Sequence, residues 1–185
     1  MASLKEIRGR IGSVKQTLKI TSAMRLISSA KLHGAQNAIS NSAAYEEALK
    51  KVFSEILACK GAEKAVSEFL GHREGKTAVV LVTSNQSLCG GFNAGLIRAF
   101  EKESFAVDST VVYAIGKFGR KAAQKMGYET VDLSVMAQKA KYDASVALAR
   151  KLTEAFLEGK VGRVVMIYAH LASISNLPVR VENFL

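Results

Sequence analysis

From Ser3 to about Leu57 the chain runs without a proline, and its first apolar residues, Leu4, Ile7, Ile11, Val14 and Leu18, recur in alternating steps of three and four. That spacing keeps one stripe of a helix apolar over about two and a half heptads, the seam of a coiled coil. Thr21 holds the next place, Met24 follows after three residues rather than four, and Ile27 comes behind it. A three-residue slip of this kind overwinds a coiled coil locally. Tyr45, Leu49, Val52 and Ile56 resume the spacing, and Ser40, Asn41 and Ser42 offer a place for a bend between the two stretches. Unbroken, such a helix is roughly 80 Å long at ~1.5 Å per residue. A small globular domain cannot bury that length, so much of the seam must pair with another helix. Two shorter helices packed on the domain are the alternative reading.

The pattern changes after Cys59. Residues 59–76 hold three glycines and many charges and read as a connector, with a short amphipathic turn around residues 65–70. Thr77 to Thr83 is then a β-branched apolar run, the mark of a strand buried on both faces. Ser109 to Ile115 and Arg163 to Ala169 are two more, and Tyr128 to Leu133 is a weaker strand. Helical stretches lie between them, at about Asn93 to Lys102, Phe118 to Met126 and Asp143 to Leu157. Strand–helix alternation implies a mostly parallel sheet with right-handed crossovers. Asn176 to Glu182, with Pro178 inside it, reads as an edge strand. The predicted fold class is therefore α/β: a long N-terminal coiled-coil helix over 1–58, a connector over 59–76, and a small, mostly parallel, three-layer Rossmann-like domain over 77–185.

Charge narrows the partners. Lysine and arginine number 26 against 16 acids, a formal net charge of +10. Residues 1–35 carry Lys5, Arg8, Arg10, Lys15, Lys19, Arg25 and Lys31 against the single acid Glu6. Such a surplus suits an acidic partner, be it nucleic acid, anionic lipid or an acidic protein surface, although a solvated helix face carries charge of this kind as well. No zinc-finger, RNP-like or KH-like signature accompanies it. No apolar run reaches the ~20 residues that cross a bilayer. With no signal-peptide segment, and Glu6 against a transit peptide, the chain reads as cytoplasmic, soluble or peripheral.

The search for chemistry finds little. The first strand runs into Ser84-Asn85-Gln86-Ser87-Leu88-Cys89-Gly90-Gly91-Phe92-Asn93. A glycine-rich turn between strand and helix is where doubly wound domains bind phosphates. Here GxGxxG and GxxxxGK[ST] are both absent, and no Lys or Arg stands in the turn. Gly90 and Gly91 then serve to permit a tight turn. Cys89 at a helix N-terminus has the placement of a nucleophile. A base is lacking, because His33, His72 and His170 are scattered over the helix, the connector and a strand end. No His/Cys/Asp/Glu group has metal-ligand spacing, and Cys59 and Cys89 form no CxxC pair. The expectation is no catalytic residue, no cofactor and no metal.

Two stretches resemble the gamma subunit of the proton-translocating ATP synthase. One is Ala2 to Arg8 followed by Ile11, Ser13-Val14, Lys19-Ile20-Thr21, Ala23-Met24 and Ala30-Lys31-Leu32; the other is Ser87-Leu88-Cys89-Gly90-Gly91-Phe92-Asn93 directly after a strand. The resemblance implies a non-catalytic rotor shaft, or central stalk, that couples proton flow to ATP synthesis or hydrolysis in the catalytic beta subunits. It implies alpha, beta and epsilon subunits and the membrane rotor ring as partners, with no nucleic acid and no small-molecule substrate. It places the chain peripherally on the cytoplasmic face of a bacterial plasma membrane. Lys5, Arg8, Ile11, Lys15, Lys19, Ile20, Thr21, Met24 and Arg25 match the stretch that passes the alpha and beta subunits. The resemblance further implies a long C-terminal helix beyond Leu185, antiparallel to the first. The 185-residue form is accordingly expected not to serve as a complete shaft, and its N-terminal helix to fray or self-associate through the seam. The competing reading is a small nucleotide-binding α/β protein with a basic helical arm.

Overall fold

A computed structural model describes residues 3–59, 61–62, 66–67, 69, 74–138, 141–173 and 176–185. His72 and half of the turn expected around residues 65–70 (residues 65, 68 and 70) lie outside the described residues. The chain divides into two compact units, Met1–Glu63 and Lys64–Leu185.

The first unit is one helix, α1 (Leu4–Ala58). It starts at a reciprocal cap: the Glu6 N–H donates to Ser3 Oγ at 3.3 Å, and the Ser3 N–H donates to the Glu6 carboxylate at 3.0 Å. The bend expected at Ser40 to Ser42 does not occur. The Ser42 hydroxyl folds back onto the Ile39 carbonyl at 3.0 Å, and the helix continues. Thr17 and Thr21 do the same with the carbonyls of Ser13 and Thr17. No residue of α1 is buried.

The second unit is a five-stranded sheet in the order β3-β2-β1-β4-β5. Its strands are β1 (Lys76–Val82), β2 (Thr110–Ile115), β3 (Glu129–Asp132), β4 (Val161–Ala169) and β5 (Val179–Asn183). The helices are α2 (Phe92–Lys102), α3 (Lys117–Lys125) and α4 (Tyr142–Leu157). The first four strands are parallel and β5 is antiparallel to β4. From β1 to β2 to β3 the chain steps in one direction, and from β3 to β4 it steps back past β1. Right-handed crossovers then put α2 and α3 on one face and α4 on the other.

The two cores follow from that arrangement. On one face Val79, Leu81, Val112, Val165 and Ile167 pack against Leu96 and Phe100 of α2 and Ala123 of α3. On the other, Ala78, Val80, Val111, Tyr113 and Val164 pack against Leu152 of α4. β1 is buried on both faces, as its unbroken apolar run requires.

The last strand starts later than expected, at Val179 rather than Asn176. Pro178 stands outside β5, and its carbonyl accepts from the His170 N–H at 2.9 Å. An amide hydrogen at residue 178 would point toward β4, and proline has none to give, so the two-way ladder starts one residue later.

Candidate functional site

The C-terminal ends of β1, β2 and β3 converge with the N-termini of α2 and α3, the place where open α/β sheets carry their ligands. Here several polar groups of that edge bond to one another. Thr83 Oγ1 accepts from the Gly119 N–H of α3 at 2.8 Å and donates to the Ile115 carbonyl at 3.2 Å. Gly116 crosses this contact at φ +107°, and a Cβ there would lie 2.2 Å from the Thr83 carbonyl oxygen, so only glycine fits. Asn85 Oδ1 accepts from the Lys117 N–H at 2.8 Å, satisfying one of the orphan donors at the start of α3, while its Nδ2 donates to the Ser134 carbonyl at 2.7 Å.

The motif from Ser87 to Asn93 closes the remaining gap. Buried Asn93, in the first turn of α2, accepts from the Ser84 N–H at 3.0 Å through Oδ1. Its Nδ2 donates to Ser84 Oγ at 2.9 Å and lies 3.1 Å from Cys89 Sγ. The thiol in turn faces the Gln86 carbonyl at 3.7 Å. Leu88 and Gly90 turn the chain with φ of 60° and 57°. Leu88 and Cys89 thus stand in a turn locked by the Asn93 amide, and Gly90 and Gly91 give that turn its shape. His33 lies in α1, and His170 follows directly on the end of β4.

At the β3 end Arg120 meets Asp132 at 2.6 Å, and Asp132 Oδ1 also accepts from both the hydroxyl and the N–H of Ser134. The two Ser134 bonds, aided by the Arg120 charge, hold the Asp132 carboxyl below its ordinary range. Among the described residues, the buried side-chain polar atom left without a partner is Arg120 Nε. No group of three or more metal-ligating side chains occurs among the described residues. An apolar cavity of about 370 Å³ opens between the sheet and α4, lined by residues that include Val80, Ile115, Leu148, Leu152 and Met166. Its side-chain polar groups are the hydroxyls of Ser145 and Thr153, which supply neither an acid nor a base.

The other candidate surface is α1 itself. Leu4, Ile7, Ile11, Val14 and Leu18 are all exposed, from 46% at Ile7 to 77% at Leu4. Lys5, Arg8, Lys15, Lys19, Ile20, Thr21, Met24 and Arg25 are exposed with them. Among the described residues none of those cations is in an ion pair. At ~100° per residue the N-terminal stripe spans roughly 80° of the helix, the width of a two-helix seam. Toward the other end exposed Phe53 and Leu57 lie beside Tyr45, Leu49, Val52 and Ile56. They widen the stripe to roughly 140°, the width of a face that meets more than one neighbour. Phe53 and Leu57 escaped the heptad reading because each directly follows a seam residue. Asn85 escaped the motif reading because its partners are distant in sequence. No helix among the described residues is long and apolar enough to cross a membrane.

Together these features define a class: a long helical arm, apolar along one stripe, joined to a doubly wound domain whose β1–β3 edge is bridged by its own side chains. The ATP synthase family model matches residues 3–185, and the chain belongs to the gamma-chain family of ATP synthases. It is 38% identical over 192 residues to the ATP synthase gamma chain of Phocaeicola vulgatus and 40% identical over 193 residues to that of Bacteroides fragilis. Both similarities cover all of this chain and 66% of the relative, so the chain spans just under two thirds of their length. Among solved structures, a chain of the Tetrahymena thermophila mitochondrial ATP synthase central stalk and c-ring matches with a TM-score of 0.65 at 18% identity, over 90% of this chain and 72% of that one. A chain of the Euglena gracilis mitochondrial ATP synthase rotor matches with a TM-score of 0.59 at 15% identity, over 95% and 60%. At such identities the likeness is one of fold.

Proposed function

We propose that the chain belongs to the central shaft of a proton-driven rotary ATP synthase and does no chemistry itself. The observation that carries this reading is the exposed apolar stripe of α1 in a gamma-chain relative. A stripe of heptad spacing left in water has no use except to pair. Its narrow N-terminal part suits one helix, and its wider part suits a helix plus a further surface. Residues 1–58 are the arm in this reading, 59–76 the connector and 77–185 the domain facing epsilon and the membrane ring. The assembly lies peripherally on the cytoplasmic face of a bacterial plasma membrane.

Lys5, Arg8, Ile11, Lys15, Lys19, Ile20, Thr21, Met24 and Arg25 form the collar that turns within the alpha and beta subunits. A shaft must transmit torque without sticking at one angle. Exposed ion pairs contribute about 0–1 kcal/mol each, weak enough to break at every step. ATP chemistry belongs to the beta subunits, and the motif from Leu88 to Asn93 shapes the domain rather than holding a nucleotide.

An affinity tag on the chain in its own cell tests this. Mild solubilisation should recover alpha and beta subunits with the tagged chain, and Leu18→Asp should reduce that recovery. Recovery of the chain without them would overturn the reading. Micromolar binding of ATP to the chain alone, measured by calorimetry, would favour a nucleotide-binding protein instead.

A further inference from the structure

β5 ends the sheet, and all five of its residues are exposed. Its inner edge is occupied: the His170 N–H donates to the Pro178 carbonyl at 2.9 Å, and the Phe184 N–H donates to the Val164 carbonyl at 2.7 Å. In an antiparallel ladder the residues that bond to the neighbouring strand alternate with residues whose N–H and C=O point away. The even-numbered residues 178 to 184 therefore face β4. The backbone groups of Val179, Val181 and Asn183 face outward, and among the described residues no strand pairs with them. An open edge of this kind is a template for another strand.

The side chains specify which strand. Arg180 and Glu182 stand on one face of β5, each 46% exposed, and Val179 and Val181 stand on the other at 36% and 37%. Let a second β5 approach antiparallel with the two-fold axis at Val181. Val181 then meets Val181, and Val179 meets Asn183, in the two kinds of pair that exchange backbone hydrogen bonds. Arg180 meets Glu182 of the other copy in the intervening pairs, where side chains approach most closely. Exposed Phe184 falls opposite Pro178, whose missing N–H is not needed on that side. Backbone phase and charge agree in this one register, with Val181 against Val181 at its centre. A two-fold contact requires such self-complementarity.

We infer that β5 is a self-pairing edge, through which two copies of the free chain join their sheets into one. The inference does not depend on the rotor reading. It concerns the chain outside any assembly, where among the described residues no strand covers the edge. Five residues a side make a small interface, well under the area of stable complexes, so the pair is weak and forms as concentration rises.

Sedimentation equilibrium of the full chain tests it with Arg180→Glu, Glu182→Arg and their equimolar mixture. Each reversal alone places two like-charge pairs across the axis and should weaken the dimer by roughly tenfold or more. The mixture restores opposite charges in the mixed pair and should recover the wild-type association. Glu182 also accepts from Tyr168 Oη at 3.0 Å, so thermal unfolding checks that each variant is folded. Val181→Lys, which sets two lysines together on the axis, is the second variant and should also give monomer. A wild-type chain that stays monomeric at millimolar concentration would overturn the inference. So would a dimer indifferent to these changes, as one held by the α1 stripe would be.

Discussion

The side-chain amide of Asn93 grips Ser84 twice, accepting from its N–H at 3.0 Å and donating to its hydroxyl at 2.9 Å. This clasp joins the first turn of α2 to the end of β1. Asn93→Ala would leave a part-buried N–H unpaired. It is expected to cost about 1–3 kcal/mol, read as a lower urea midpoint with unchanged secondary structure.

Two glycines with opposite surroundings give a paired prediction. At Gly119 a Cβ would sit 2.9 Å from Thr83 Oγ1 and 3.1 Å from Leu81 Cδ2, so Gly119→Ala should destabilise the domain by about 1–3 kcal/mol. At Gly12, in the third turn of α1, a Cβ meets nothing within 4 Å. Gly12→Ala should raise the helix content of the arm, by about 0.5–1 kcal/mol in helix free energy. Circular dichroism through thermal unfolding of both variants checks the contrast.

The α/β architecture was legible because β1, β2 and β4 are β-branched runs separated by amphipathic stretches, and topology rules leave few ways to arrange them. The arm was legible from Leu4, Ile7, Ile11, Val14 and Leu18. What the sequence hid are contacts made at long separation. Asn85 reaches Lys117 and Ser134, and Thr83 reaches Gly119, across 32 to 49 residues. Nothing in local periodicity marks such polar residues as structural. The bend expected at Ser40 to Ser42 failed for a related reason: serine hydroxyls can satisfy themselves on the preceding turn and leave the helix straight on.

Acid should weaken the β3 end in a specific window. The bonds from Ser134, with Arg120 beside them, lower the Asp132 carboxyl below its ordinary 3.8. A lowered folded-state pKa contributes stability that is complete above the unfolded value and is lost as pH falls through the folded one. The stability gap between wild type and Asp132→Asn should therefore hold at neutral pH and close below 3.8. Denaturation midpoints measured from pH 7 downward check this; a gap that stays constant to the lowest pH would contradict it.

Leu88 combines an 88% exposed side chain with a φ of 60°, a left-handed conformation that costs a non-glycine residue about 1–2 kcal/mol. In the chain alone, Leu88→Gly is expected to raise stability by up to about 1 kcal/mol, after the larger unfolded-state entropy of glycine is subtracted. Leu88→Ala should leave it nearly unchanged, because the side chain packs on little. Chemical denaturation of both variants decides the point.

Hydrogen exchange of the amides of residues 4–18 tests the central claim most directly, compared between the chain alone and the chain recovered with its assembly. With the stripe of α1 open to water, these amides should exchange rapidly in the free chain and become strongly protected once helices and subunits close around them. Equal exchange in both states would contradict the account, since the exposed stripe would then pair with nothing.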